Sequence, residues 1–114
     1  LRMEKEITWQ DFAKIDMRVG TIIEVNDFPE ARKPAYQLRI DFGEEIGIRK
    51  TSAQITKRYT KEDLLGKQTI AVVNFPKKQI ANFMSECLLM GAVDGDEVTI
   101  IQPEASIENG LKVS

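Results

Sequence analysis

Histidine is absent from this chain of 114 residues, and cysteine occurs once, at Cys87. Without histidine there is no ordinary general base or pH switch near neutrality, and the commonest metal ligand is missing. A lone thiol cannot form an internal disulfide, and it cannot build a thiolate metal cluster. Gly20, Gly43 and Gly47 do not have the spacing of a phosphate-cradling loop. The acidic pairs Glu44-Glu45 and Asp96-Glu97 fall in turns, where carboxylates are usually just solvated. These absences point away from an enzyme, a metal and a cofactor.

Long apolar runs are missing too. Ile70–Val73 and Leu88–Met90 fall far short of the roughly 20 residues that cross a bilayer as a helix. No basic region followed by a long apolar run opens the chain, so no secretory signal is read. The expectation is a cytoplasmic protein in a reducing compartment, without membrane insertion. A single domain over residues 3–114 is expected, with Leu1 and Arg2 read as expression remnants ahead of Met3.

Charge is present in quantity and unevenly placed. The net is −2, yet residues 28–83 hold 11 Lys/Arg against 6 Asp/Glu, a local +5, and the remainder sums to −7. A basic middle between acidic ends can present a basic face to a polyanion.

The period of the apolar residues locates the elements. Thr8-Trp9-Gln10-Asp11 reads as a capped helix start, with Ile7 and Phe12 as its hydrophobic staple. A short helix over about Trp9–Lys14 aligns Trp9, Phe12 and Ile15 in an apolar stripe. The period then becomes two. Met17, Val19, Thr21, Ile23 and Val25 share one face of a strand, and Arg18, Gly20, Ile22 and Glu24 share the other. Gly20 marks a bulge or bend. Tyr36, Leu38, Ile40 and Phe42 alternate in a second strand, and a tight Gly43-Glu44 hairpin leads into a third over Ile46–Arg49. Ser52 reads as an N-cap, with Ile55 and Tyr59 at helical spacing; Thr60–Asp63 restarts a turn that Gly66 ends. Ile70–Phe75 reads as a buried fourth strand. Cys87–Val93 and Glu97–Ile101 read as a last pair joined at Asp94-Gly95. Asn109-Gly110 is one more turn. This pattern predicts an all-β protein: a five-stranded Greek-key barrel of the OB-fold, with short helices at the N-terminus and between strands three and four.

Basic residues recur beside aromatic ones. Lys57, Arg58 and Lys61 lie in the helical insert near Tyr59. Lys77 and Lys78 follow Asn74-Phe75-Pro76 in the loop leaving strand four, with Phe83 just beyond. Aromatic faces beside cations are what a base-stacking, backbone-tracking surface requires. The structural alternative places the aromatics in the core and leaves the lysines to solvate the surface.

Several runs resemble a known family: Ile15-Asp16-Met17-Arg18-Val19-Gly20-Thr21-Ile22, Phe28-Pro29-Glu30-Ala31-Arg32 and Thr51-Ser52-Ala53-Gln54-Ile55-Thr56-Lys57-Arg58-Tyr59. Val72-Val73-Asn74-Phe75-Pro76 through Phe83, and then Ser85-Glu86-Cys87-Leu88, continue the likeness. Over about Phe12–Val113 the chain is similar to the CsaA group of the family of tRNA-binding domains. Such domains are also appended to some bacterial methionyl- and phenylalanyl-tRNA synthetases.

The resemblance implies an OB-fold homodimer whose terminal segments build the dimer contact. It also implies two uses, tRNA binding and chaperone-like binding of unfolded or export-bound polypeptides. The family's RNA-contacting region maps onto the loop at Lys77 and Lys78 and the strand opening with Ser85-Glu86. Expected phosphate contacts are therefore Lys57, Arg58, Lys77 and Lys78. Phe75 or Phe83 would stack on a base, and Asn82 and Ser85 would hydrogen-bond a sugar or base. Gln79 and Met84 stand where relatives often carry a basic residue, which makes this face less positive. Trp9 and Phe12 are the expected peptide-binding or dimer contacts. The alternative is an export chaperone with no physiological RNA role.

Overall fold

The computed structural model describes residues 5–114, so Met3 and Glu4 of the expected domain lie outside the described residues. Helix α1 (Trp9–Ala13) starts at the reciprocal cap read from the sequence. Thr8 Oγ1 accepts from the Asp11 N–H at 3.1 Å, and Asp11 Oδ2 accepts from the Thr8 N–H at 3.0 Å.

Strand β1 (Met17–Asp27) is the longest element and the hub of the sheet. It pairs antiparallel with β2 (Tyr36–Asp41), β4 (Gln68–Val72) and the short C-terminal β10 (Lys112–Val113). Between Ile22 and Glu24 its register on β2 slips, which swaps the faces of the strand. Ile22 lies in the barrel core, Ile23 is exposed, and beyond the slip Val25 packs inward. The bulge is thus downstream of Gly20, where the sequence placed it. Gly20 answers a packing demand instead, because a Cβ there would lie 2.6 Å from Ile40 Cγ2 and 2.7 Å from Phe42 Cδ1.

After β2 the chain makes a one-turn helix, α2 (Gly43–Ile46), in place of the expected tight hairpin. Gly43 there has φ +85°, open to glycine without strain. Strand β3 (Ile48–Ala53) then runs past Ser52, which pairs with Gln37 in the ladder and is no helix cap. The insert that follows is correspondingly smaller than expected. A turn holds Ile55 and Tyr59, and helix α3 (Lys61–Leu64) is capped by Thr60 and Asp63 as Thr8 and Asp11 cap α1.

Strand β4 ends at Val72, so Phe75 is not part of it. The loop beyond is shaped as a hairpin that the sequence did not announce, β5 (Lys78–Ile80) with β6 (Phe83–Ser85). The expected strand Cys87–Val93 divides: β7 (Leu88–Leu89) joins β4, and β8 (Gly91–Asp94) makes a separate hairpin with β9 (Glu97–Ile100).

The main sheet has the order β3-β2-β1-β4-β7, with β10 alongside β1. It is nearly closed by the segment before β7. The Glu86 N–H donates to Lys50 O at 2.8 Å, and Lys50 N–H donates to Glu86 Oε1 at 3.0 Å. This seam against β3 is the OB-type ring, and it encloses Ile22, Leu38, Ile40, Phe42, Ile55, Leu64, Ala71 and Cys87. A second apolar cluster, Met17, Val19, Ile70 and Val72, lies on the outer face of β1 and β4, and Phe12 of α1 and Val113 of β10 cover it. The terminal segments are therefore tied to the barrel.

Candidate nucleic-acid interface

The β5–β6 hairpin and the loop leaving β4 overhang the β3 edge of the barrel. Between them is a cleft of about 470 Å³, lined by Thr51, Phe75, Lys77, Lys78, Ser85 and Leu88, with Pro76, Ile80 and Cys87 completing its apolar wall. Strand register explains the lining. Lys78 sits opposite Ser85, so the two share a face, whereas the next rung, Gln79 opposite Met84, points the other way. The two uncharged departures thus occupy a single rung directed away from the cleft, and Gln79 Nε2 donates to Ala81 O at 3.1 Å.

The loop is held from both sides. The Arg49 guanidinium donates to Val73 O, and Asn74 joins the loop to α1 by accepting from Asp16 N–H at 3.0 Å and donating to Lys14 O at 2.6 Å. Phe75, the next residue, is left 55% exposed. Phe83 is differently placed. It is half-buried, its ring 5.5 Å from that of Phe28, with Lys50 Nζ 5.1 Å from its centroid. Phe75 has the free aromatic face; Phe83 is already stacked.

The cations fall into two groups. Lys77 Nζ lies 3.8 Å from Glu86 Oε2, a loose pairing, and Lys78 makes no ion pair among the described residues. Lys57 and Arg58 do not reach this cleft. They line a separate depression with Tyr59, Asp63 and Glu97, where Lys57 Nζ meets Asp96 Oδ2 at 2.9 Å and Arg58 meets Glu97 Oε1 at 3.0 Å. Hydrogen bonding to Asp96 raises the Lys57 pKa and the same contact lowers that of Asp96; Glu97 likewise raises Arg58. Asn82 is exposed at the hairpin turn, outside the cleft lining.

The cleft floor is polar in one place. Thr51, 1% exposed, has its hydroxyl 2.8 Å from Cys87 O and 3.0 Å from Ser85 Oγ, which is itself 3.3 Å from Cys87 O. Burial pushes the Cys87 thiol up to about 12, well away from thiolate chemistry. Thr51 and Lys50 were not singled out by sequence. Both follow Arg49 in a strand whose length was underestimated, and correct alternation through Ala53 would have placed Thr51 inward.

The sequence pattern of the family described as "Putative tRNA binding domain" matches residues 17–112, the barrel and its cleft together. The chain belongs to this family. It is 40% identical over 113 residues to the methionine–tRNA ligase of Pyrococcus horikoshii, a match covering 96% of this chain and 15% of the ligase. The chain therefore spans only a small part of the curated relatives it matches. Among solved structures, the chaperone CsaA of Bacillus anthracis superposes with a TM-score of 0.92 at 48% identity, and CsaA of Picrophilus torridus with 0.90 at 56%. Each covers 96% of this chain and the whole of the other. Among the described residues no helix is long and apolar enough to cross a membrane.

Proposed function

We propose that this domain binds tRNA, or another structured RNA, through the cleft beneath the β5–β6 hairpin, and that it does so as a homodimer. The observation that carries this reading is the exposed Phe75 ring beside Lys77 and Lys78 on an apolar cleft, within a chain of the tRNA-binding family. Phe75 offers a face to an unstacked base, and the two lysines offer charge to the flanking phosphates. Phosphate contacts give affinity without reading sequence, so recognition is chiefly of RNA shape. Lys57 and Arg58, held by Asp96 and Glu97, contribute less than their charge alone suggests.

The test is replacement of Lys77 and Lys78 together by alanine. Both side chains are exposed, so the fold should persist. Affinity for bulk tRNA should fall, and the slope of log affinity against log salt should flatten by roughly 1.4–1.8, two phosphate contacts at about 0.7–0.9 each. Unchanged affinity and slope would remove the loop from the RNA site.

A second reading, polypeptide binding, is favoured by an apolar groove of about 680 Å³ next to the cleft, lined by Ile80, Leu88, Met90, Val93, Val98 and Ile101. Val93 is 72% exposed there. Extended apolar segments of unfolded or export-bound chains suit such a groove, and their binding should hold or strengthen with salt while RNA binding falls.

A further inference from the structure

We infer that Ser85 meets the RNA as a hydrogen-bond acceptor, so that the cleft takes an unstacked nucleotide by one of its donor groups and not by a phosphate. The inference rests on the RNA reading above and specifies the ligand chemistry of the same cleft.

It follows from counting hydroxyl protons on the cleft floor. Thr51 and Ser85 bring one O–H each. Three contacts connect their oxygens and Cys87 O: Thr51 Oγ1 to Cys87 O at 2.8 Å, Thr51 Oγ1 to Ser85 Oγ at 3.0 Å and Ser85 Oγ to Cys87 O at 3.3 Å. Thr51 is buried, so its proton must be used inside. If Thr51 donates to Cys87 O, Ser85 donates to Thr51. If Thr51 donates to Ser85, Ser85 donates to Cys87 O. In both arrangements the Ser85 proton points into the wall, and only lone pairs remain for the half-exposed, cleft-facing side of its oxygen. Turning that proton toward a ligand would strip the buried Thr51 oxygen of its donor.

A phosphate oxygen only accepts, so it gains nothing from Ser85. It is served by Lys77 and Lys78 at the rim. A ribose 2′-OH or a base N–H donates, and either suits a lone pair at the floor of an apolar cleft walled by Phe75, Ile80 and Leu88.

Ser85→Ala should weaken tRNA binding about fivefold to tenfold, the weight of one neutral hydrogen bond, while leaving the salt slope unchanged. A thermal melt of the variant checks the fold. A second arm leaves the protein intact and compares natural single-stranded RNA with 2′-fluoro RNA of the same sequence, which lacks the 2′ donor. If the fluoro RNA binds correspondingly weaker, and Ser85→Ala adds no further loss on it, the donor is the 2′-OH. If the fluoro RNA binds as well as the natural RNA and the serine variant still loses affinity on both, the donor is on the base. Affinity within twofold of the unmodified protein, or a slope flattened by about 0.7 or more, overturns the inference. Retained loss with Lys77→Ala/Lys78→Ala would in that case leave the RNA site standing. An unmodified protein that binds no RNA overturns both.

Discussion

At the residue scale, one hydrogen atom decides whether the barrel closes. Gly20 lies where β1 crosses β2, and its absent side chain is what lets Ile40 and Phe42 fill the interior. Backbone freedom has no part in this, since Gly20 is not among the positive-φ glycines. Gly20→Ala should therefore destabilise by overpacking, at a cost of about 1–3 kcal/mol, because both clashing neighbours are fully buried and cannot swing aside. A urea titration reads this as a lower midpoint with an unchanged slope. An unchanged midpoint would mean that the neighbouring strands part easily, and that the tight contact is not a constraint. The charged residues follow the same logic of surroundings over identity. Lys57 and Lys78 are both exposed lysines, yet one is hydrogen-bonded to a carboxylate and the other is available to a partner.

At the element scale, the legible parts were those with a local cause. The capping sequences Thr8–Asp11 and Thr60–Asp63 hold their own helices, and alternation over residues 36–42 fixes β2. What escaped depends on partners distant in the chain. Thr51 and Ser52 belong to β3 because Leu38 and Gln37 pair with them, and no local signal competes with Ser52 as a helix cap. The site was legible as a cluster of residue types around Lys77, but not as a shape, since Lys78–Ser85 holds only short half-polar strands. The β5–β6 hairpin turns at Ala81, whose φ of +52° is costly for any residue bearing a Cβ. Glycine at this position removes that cost at the expense of more unfolded-state freedom, so Ala81→Gly should be neutral to stabilising, by up to about 1 kcal/mol. RNA affinity should stay unchanged, because the Ala81 methyl is not part of the cleft lining. A clear loss of stability by thermal melt would show that the turn holds its geometry through side-chain packing.

At the scale of the whole molecule, the barrel leaves apolar surface that its own core does not use. Trp9 is 84% exposed and Ile7 67%, and together with Phe12 they line a depression beside Ser114, where the two terminal segments meet. Such a patch is unusual on a monomer of this size, and pairing of two copies would hide it. A dimer would also present two RNA clefts on one body, and simultaneous engagement raises affinity without any new contact. Light scattering at micromolar concentration should give twice the 12.9 kDa chain mass. Trp9→Glu should shift the population toward monomer, since a charge in a buried apolar interface lacks a partner. It should do so without harming the fold, because a side chain this exposed contributes little to the monomer's core. The dimer effect on RNA is then separable from the cleft itself. The monomeric variant should keep the intrinsic affinity of one cleft for a short single-stranded RNA while binding more weakly to a tRNA large enough to span both. Equal binding of the larger RNA by monomer and dimer would limit each tRNA to one cleft, and a monomeric unmodified protein would remove the dimer from the reading altogether.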